Sequence, residues 1–327
     1  MTMEVVQRDA QEISLEGVPG LLQRIYSARG ITSSGQLQLG LDQLLPYGSL
    51  SGIHESAERL FLAIRQQQRV LIVGDYDADG ATSCAVAKRG LRTLGLESIN
   101  DLVPSRFKYG YGLSAEIVEI AAQQNPDLIV TVDNGIASIA GVNAARSAGI
   151  DVLITDHHLP GEKLPAADII VNPNQPGDTF PSKMLAGVGV MFYVLMALRA
   201  LMREQQWFTE HQQTEPNLAE LLDLVALGTV ADVVPLDHNN HILVEQGLRR
   251  IRAGKAHAGI NAIAEIARKD LARLKSTDLG FALAPRLNAA GRLEDMSLGI
   301  ECLLADDRDT AMSLARQLDA INLERRA

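Results

Sequence analysis

The chain has 327 residues, 46% of them hydrophobic and 21% charged, a globular composition that excludes long disorder and leaves room for a large core or two domains. Its net charge of −10 argues against a nonspecific nucleic-acid coat, although a locally basic channel is compatible with it. Two cysteines, Cys84 and Cys302, stand far apart and outside any CxxC, which excludes a disulfide scaffold and a cysteine zinc site.

The opening MTMEVVQRDAQEIS carries acids and no apolar run, unlike a usual signal peptide, and the expected compartment is the cytoplasm. Residues 1–50 read as an N-terminal helical extension, with short patterns at Leu21–Ala28 and Ser33–Leu45. An amphipathic helix follows over His54–Gln66, with Ala57, Leu60, Phe61 and Ile64 on one face. From Val70 strands and helices alternate: strand Val70–Gly74, helix Ala81–Leu94, strand Ile99–Val103, helix Ala115–Gln124, strand Leu128–Val132 and helix Ala137–Ala148. Strands Val152–Thr155 and Ala167–Val171 complete the pattern, which predicts an α/β fold, a parallel β-sheet flanked by helices. Met184–Leu198 is apolar but only about 15 residues long, short of a membrane span, and reads as a buried helix. Beyond Pro235 the pattern is helical, at Ile242–Ile251, Ile260–Ala267, Thr277–Leu283 and Asp307–Arg326.

The chemistry concentrates where strands end. VLIVGDYDADGATS places Asp75, Asp77 and Asp79 on the turn between the first strand and its helix, and three crowded carboxylates require cations or basic groups to offset them, a divalent metal being the obvious partner. Oxygen ligands favour Mg²⁺ or Mn²⁺ over thiolate-bound zinc. A calcium EF-hand opens with the same spacing, yet its twelfth position needs Glu and here holds Val86, and the loop is entered from a strand. A solvated turn with an Asp N-cap is the plainer alternative. Against it, acids recur: Asp133 ends LIVTV, Asp156, His157 and His158 end VLIT, and Asp232 follows an apolar stretch in LLDLVALGTVADVVPL. Open α/β sheets bind ligands beyond the carboxyl ends of their strands, so these residues can converge on one cleft.

Three further segments suit a substrate. PSRFKYGYGL (104–113) combines Arg106 and Lys108 with Tyr109 and Tyr111, a mixture for a phosphate and a stacked base, or else an ordinary glycine loop. PRLNAAGR offers Arg286, Asn288 and Arg292 in a turn-rich stretch, enough for an anion site. Gly187 and Gly189 would let backbone amides approach a phosphate, or let two helices pack closely. His54, His238, His241 and His257 read as surface residues.

On GDYDADGATS, VPSRFKYGYGLS, IVTVDNGI, TDHHLPG, LAGVGVMFY, LLDLVALGTVADVVPL and FALAPRLNAAGR, the chain resembles the DHH phosphoesterase superfamily and, within it, the bacterial single-strand-specific 5′ to 3′ exonucleases. The resemblance covers most of residues 50–327. It implies two divalent ions, Mn²⁺ or Mg²⁺, held by Asp75, Asp77, Asp79, Asp133, His157 and Asp232, with His158 near the scissile phosphate and Asp156 orienting a ligand. It implies hydrolysis of single-stranded DNA to 5′-mononucleotides by in-line attack of water, as in DNA repair and recombination, with a single-strand binding protein and a helicase as partners and no membrane. It divides the chain into the extension, a catalytic domain over 51–306 (metal-binding core 70–235, helical part 236–306) and the start of a connecting helix over 307–327. The family's DHHA1 and OB-fold domains are expected to be absent. Related enzymes acting on nanoRNA, cyclic dinucleotides or pyrophosphate share the acids, and a catalytically dead scaffold should have lost some of them.

Overall fold

Five strands, β1 (Val70–Gly74), β2 (Ile99–Leu102), β3 (Leu128–Val132), β4 (Asp151–Thr155) and β5 (Ile169–Val171), form a parallel sheet in the order β2-β1-β3-β4-β5. The structure is a computed structural model that describes residues 11–103, 112–293 and 296–325. The reading of Arg106, Lys108, Tyr109 and Tyr111 as substrate contacts lies outside the described residues.

Side chains alternate across the pleat, so each strand feeds two cores. Val70 and Ile72 of β1 join Val130 and Leu153 in the larger core; Leu71 and Val73 join Ile129, Val152 and Ile154 in the smaller. Helices α4 (Ala115–Ala122) and α5 (Ile139–Ser147) close the smaller core through Ile117, Val118, Val142 and Ala145. Helix α1 (Gly20–Ser27) belongs to the N-terminal extension, and the larger core is covered by α2 (Ile53–Gln66), α3 (Ala78–Thr93) and α6 (Gly187–Glu204). Burial on both faces is why β1 and β3 are aliphatic runs, broken in β3 only by Thr131. The same core extends into α7 (Leu222–Ala231), α8 (His238–Arg252), α9 (Ala258–Ile266), α10 (Ala284–Leu293), α11 (Ser297–Leu304) and α12 (Arg308–Glu324). Among the described residues no helix is long and apolar enough to cross a membrane.

Three local expectations are corrected. Ser33–Leu45 is not a helix but contains 3₁₀ turns at Ser34–Leu37 and Leu41–Gln43, because Gly35 and Gly40 interrupt it. Helix α3 starts at Ala78 rather than Ala81: the Asp77 carboxylate accepts the Asp79 and Gly80 amides and so initiates it early. PRLNAAGR is not turn-rich but helical, within α10. Pro285 lies in the first turn of that helix, and Leu279–Leu283 ahead of it is a π-helical turn in which the Ala284 amide reaches Leu279 O.

Candidate metal centre

Strand register builds the centre. Gly74, Val132, Thr155 and Val171 pair in one row across the sheet, so the residues that follow them, Asp75, Asp133, Asp156 and Asn172, emerge together at its carboxyl edge. Asp133 adopts φ 61°, a left-handed conformation costly for a residue with a side chain. Its turn is stitched in place: Asn134 Nδ2 donates to Val73 O (3.0 Å) and Val132 O (2.9 Å), and Thr131 Oγ1 donates to Asn134 O (2.7 Å). Asp79 lies in the first turn of α3, where its carboxylate accepts the Gly187 and Val188 amides at 2.8 and 3.0 Å from the start of α6. Asp232 arrives differently, as the residue that ends α7.

His157 Nε2 lies 3.1 Å from Asp133 Oδ1 and 3.5 Å from Asp232 Oδ2. Burial drives its pKa down, against the pull of Asp232, and favours the neutral imidazole that ligates metals. His158 behaves oppositely. Its Nδ1 is 2.8 Å from Asp156 Oδ1, and that hydrogen bond raises its pKa to about 9, leaving a half-exposed cation. Burial alone would raise Asp156, but the His158 contact and the amides of Ile136 and His158 hold it below the usual range. One Asp156 carboxylate thus accepts the His157 amide (2.7 Å) and the His158 amide (3.0 Å) and also contacts the His158 ring.

The remaining carboxylates strain against one another. Burial, then Asp77, pushes Asp75 up to about 7. Asp79 and Asp133 are held well above the usual range by burial and by neighbouring carboxylates, and Asp232 is raised by burial although His157 opposes it. Such a set takes up protons or cations. The donors form groups whose ligand atoms lie within 4.8 Å of one another: Asp75, Asp77 and Asp133; Asp79, His157 and Asp232; and Asp133, His157 and His158. His157 Nε2 and Asp232 Oδ2 are buried without a hydrogen-bond partner among the described residues, which a bound cation would satisfy. Carboxylate oxygens with one imidazole suit Mn²⁺ or Mg²⁺.

The expected substrate residues separate. Arg292, exposed, and Asn288 line a cavity of about 220 Å³ together with Tyr76, Asp77, Ala231 and Asp232. Asn288 Oδ1 also accepts the Ala78 amide at 2.8 Å, so it holds the acidic loop as well as facing the cavity. Arg286 is not part of an open anion site: its guanidinium pairs with Asp319 at 2.9 Å and donates to Ala282 O, tying α10 to α12. Gly187 does not offer its amide to a phosphate, since Asp79 takes it, and a Cβ there would stand 2.6 Å from Asp133 Oδ1. Gly189 allows close packing on Leu185. A wider cleft of about 820 Å³ opens between α8, α9 and α12, where Glu265 and Arg308 pair with each other, so size does not mark the chemistry.

Asn172 and Asn174 escaped the sequence reading. Asn172 Nδ2 donates to His158 O (2.9 Å) and Asn174 Nδ2 to His157 O (2.6 Å), fixing the backbone of both histidines. Their one sequence signature is position: VNPN follows the last strand, as each acid follows its own.

The profile of the DHH family, N-terminal domain, matches residues 69–229. The chain is 56% identical over 309 residues to the single-stranded-DNA-specific exonuclease RecJ of Escherichia coli strain K12, a match covering 94% of this chain and 54% of that protein. It is 39% identical to RecJ of Bacillus subtilis strain 168, over 84% of this chain and 33% of the relative. A crystal structure of exonuclease RecJ bound to manganese superposes with TM-score 0.75 at 36% identity, covering 86% of this chain and 68% of that one. The crystal structure of RecJ from Thermus thermophilus in complex with Mn²⁺ also gives 0.75, at 34% identity, over 92% of this chain and 41% of that one. The chain spans about half the length of the Escherichia coli relative it matches.

Proposed function

The chain belongs to the DHH family, within its RecJ group, and on that footing we propose that it is a metal-dependent exonuclease that hydrolyses single-stranded DNA from the 5′ end to 5′-mononucleotides. One observation carries the reading: carboxylates from three adjacent strand ends, the first turn of α3 and the end of α7 converge with His157 on a single edge. We assign Asp75, Asp77 and Asp133 to one ion and Asp79, His157 and Asp232 to a second, Mn²⁺ or Mg²⁺. When bound, the ions supply a water that is a nucleophile at neutral pH and positive charge against the phosphoryl oxygens.

The chain's own residues then have separable tasks. The Gly187 and Val188 amides hold the Asp79 carboxylate in one orientation, and Asn288 holds the loop that carries Asp75 and Asp77. His158, kept protonated by Asp156, offers an N–H donor and a positive charge to a phosphoryl oxygen. Arg292, beside Asp77 and Asp232, neutralises a backbone phosphate. In this reading residues 51–306 are the catalytic unit, with the ligands in 70–235 and a helical part over 236–306. A single-strand binding protein and a helicase are its partners, and the cytoplasm is its compartment.

The test is digestion of a single-stranded DNA carrying distinguishable labels at its two ends, with Mn²⁺ or chelator, by wild type and Asp133→Ala. Metal-dependent early release of the 5′ label, lost in the variant, is the expected result. Intact DNA with cleavage of dinucleotides or nanoRNA would assign the centre to small substrates instead.

A further inference from the structure

Among the large apolar side chains that stand almost wholly in solvent are Val233, next to Asp232 in the chain and 83% exposed, and Phe281, 81% exposed. Both sit on backbone that costs free energy. Val233, β-branched, adopts φ 64°, a conformation that such residues rarely take. Phe281 lies in the π-helical turn Leu279–Leu283, and such turns recur at functional sites. Their backbones approach one residue of α7: the Val233 amide donates to Val230 O (3.3 Å), and a Cβ built on Gly280, the residue before Phe281, would stand 3.2 Å from Val230 Cγ1. Asp232, assigned above to a metal ion, lies between Val230 and Val233 in the chain.

We infer that Phe281 and Val233 form an apolar platform on which a nucleobase of the single strand stacks next to the metal centre; this rests on the nucleic-acid reading above. The platform's setting selects which part of the strand it takes. The acids beside it repel phosphates, Arg292 on the helix that continues the π turn supplies the cation for them, and an aromatic face is left for a base. Base stacking on an aromatic ring is sequence-tolerant and is open only to unpaired nucleotides.

Binding of fluorescent single-stranded oligonucleotides by anisotropy, in chelator, and their hydrolysis with Mn²⁺, test this on Phe281→Ala, Phe281→Trp and Val233→Gly. An abasic residue is moved one nucleotide at a time along the strand. Phe281→Ala is expected to weaken binding and raise KM roughly tenfold, and Phe281→Trp to restore both. The Phe281→Ala loss should vanish when the abasic residue occupies one particular position. Val233→Gly should bind more weakly while melting at a higher temperature, because it removes both the apolar surface and the backbone strain. Equal losses at every abasic position, or no loss, would overturn the platform. So would conversion of a wild-type dimer to monomer by Phe281→Ala, which would make the patch a contact between copies. If wild type releases no label with Mn²⁺, the exonuclease reading fails on its own, and the binding arm still decides the stacking.

Discussion

Removing metal should make this protein less stable as pH rises, the reverse of the usual behaviour of paired carboxylates. Asp75 carries the calculation. Its pKa is raised from 3.8 to about 7, chiefly by burial and then by Asp77. A group raised in the folded state adds its full contribution to stability below its unfolded pKa and loses it as pH climbs through the folded one. The window therefore runs from about pH 4 to about pH 7, and a shift of about three pH units corresponds to about 4 kcal/mol at 1.36 kcal/mol each. Asp79, Asp133 and Asp232 act in the same direction. His158 does too, over a later window from about 6.5 to about 9, whereas His157, lowered by burial, acts in the opposite sense. The assay is thermal or urea denaturation in chelator from pH 5.5 to 8.5, for wild type and Asp75→Asn. Stability should fall with pH in wild type, and the slope below pH 7 should flatten in the variant. Mn²⁺ should reverse the slope, since it binds the ionised carboxylates, adding about 2.7 kcal/mol at a hundred times its Kd. A metal-free protein whose stability stays level or rises across this range, or an Asp75→Asn slope equal to wild type, would refute the assignment of these acids to one crowded centre.

Four more outcomes distinguish residues by role. Asn288→Ala leaves the Ala78 amide without its acceptor, so it should cost about 1–3 kcal/mol and weaken Mn²⁺ binding roughly 10–100-fold by calorimetry, with Asn288→Asp retaining more of both. Asp156→Asn removes the charge that holds His158 near pKa 9; the alkaline limb of the kcat–pH profile should move toward 6.5 and kcat at pH 8 fall roughly tenfold more than at pH 6. Parallel profiles would sink that role. Arg286→Ala, which breaks the Asp319 pair, should lower stability by about 2 kcal/mol with KM for single-stranded DNA unchanged. Arg292→Ala should do the reverse, raising KM several-fold while stability stays within about 0.5 kcal/mol.

Much of this protein is legible without coordinates because its fold is written in periods. Aliphatic runs alternating with helical patterns imply a parallel sheet, and a parallel sheet puts every strand's carboxyl end on one edge, so Asp75, Asp133 and Asp156 could be grouped from position alone. What the sequence could not supply is register and direction. Only the pairing of Gly74 with Val132, and of Val132 with Thr155, shows that the acids stand abreast. The arginines of PRLNAAGR read alike as anion ligands, yet helix α10 turns Arg286 to Asp319 and Arg292 to the cavity, because residues six apart on a helix lie on different faces. Gly187, open to reading as a phosphate cradle or as a close packing contact, is the clearance between α6 and Asp133, a contact made by residues 54 positions apart. The asparagines that hold the histidine backbone were silent for the same reason: amide side chains acquire meaning from the partner they reach, and that partner is set by the tertiary fold. Local sequence thus determined which elements form and which chemistry they carry; packing decided which of those groups face one another.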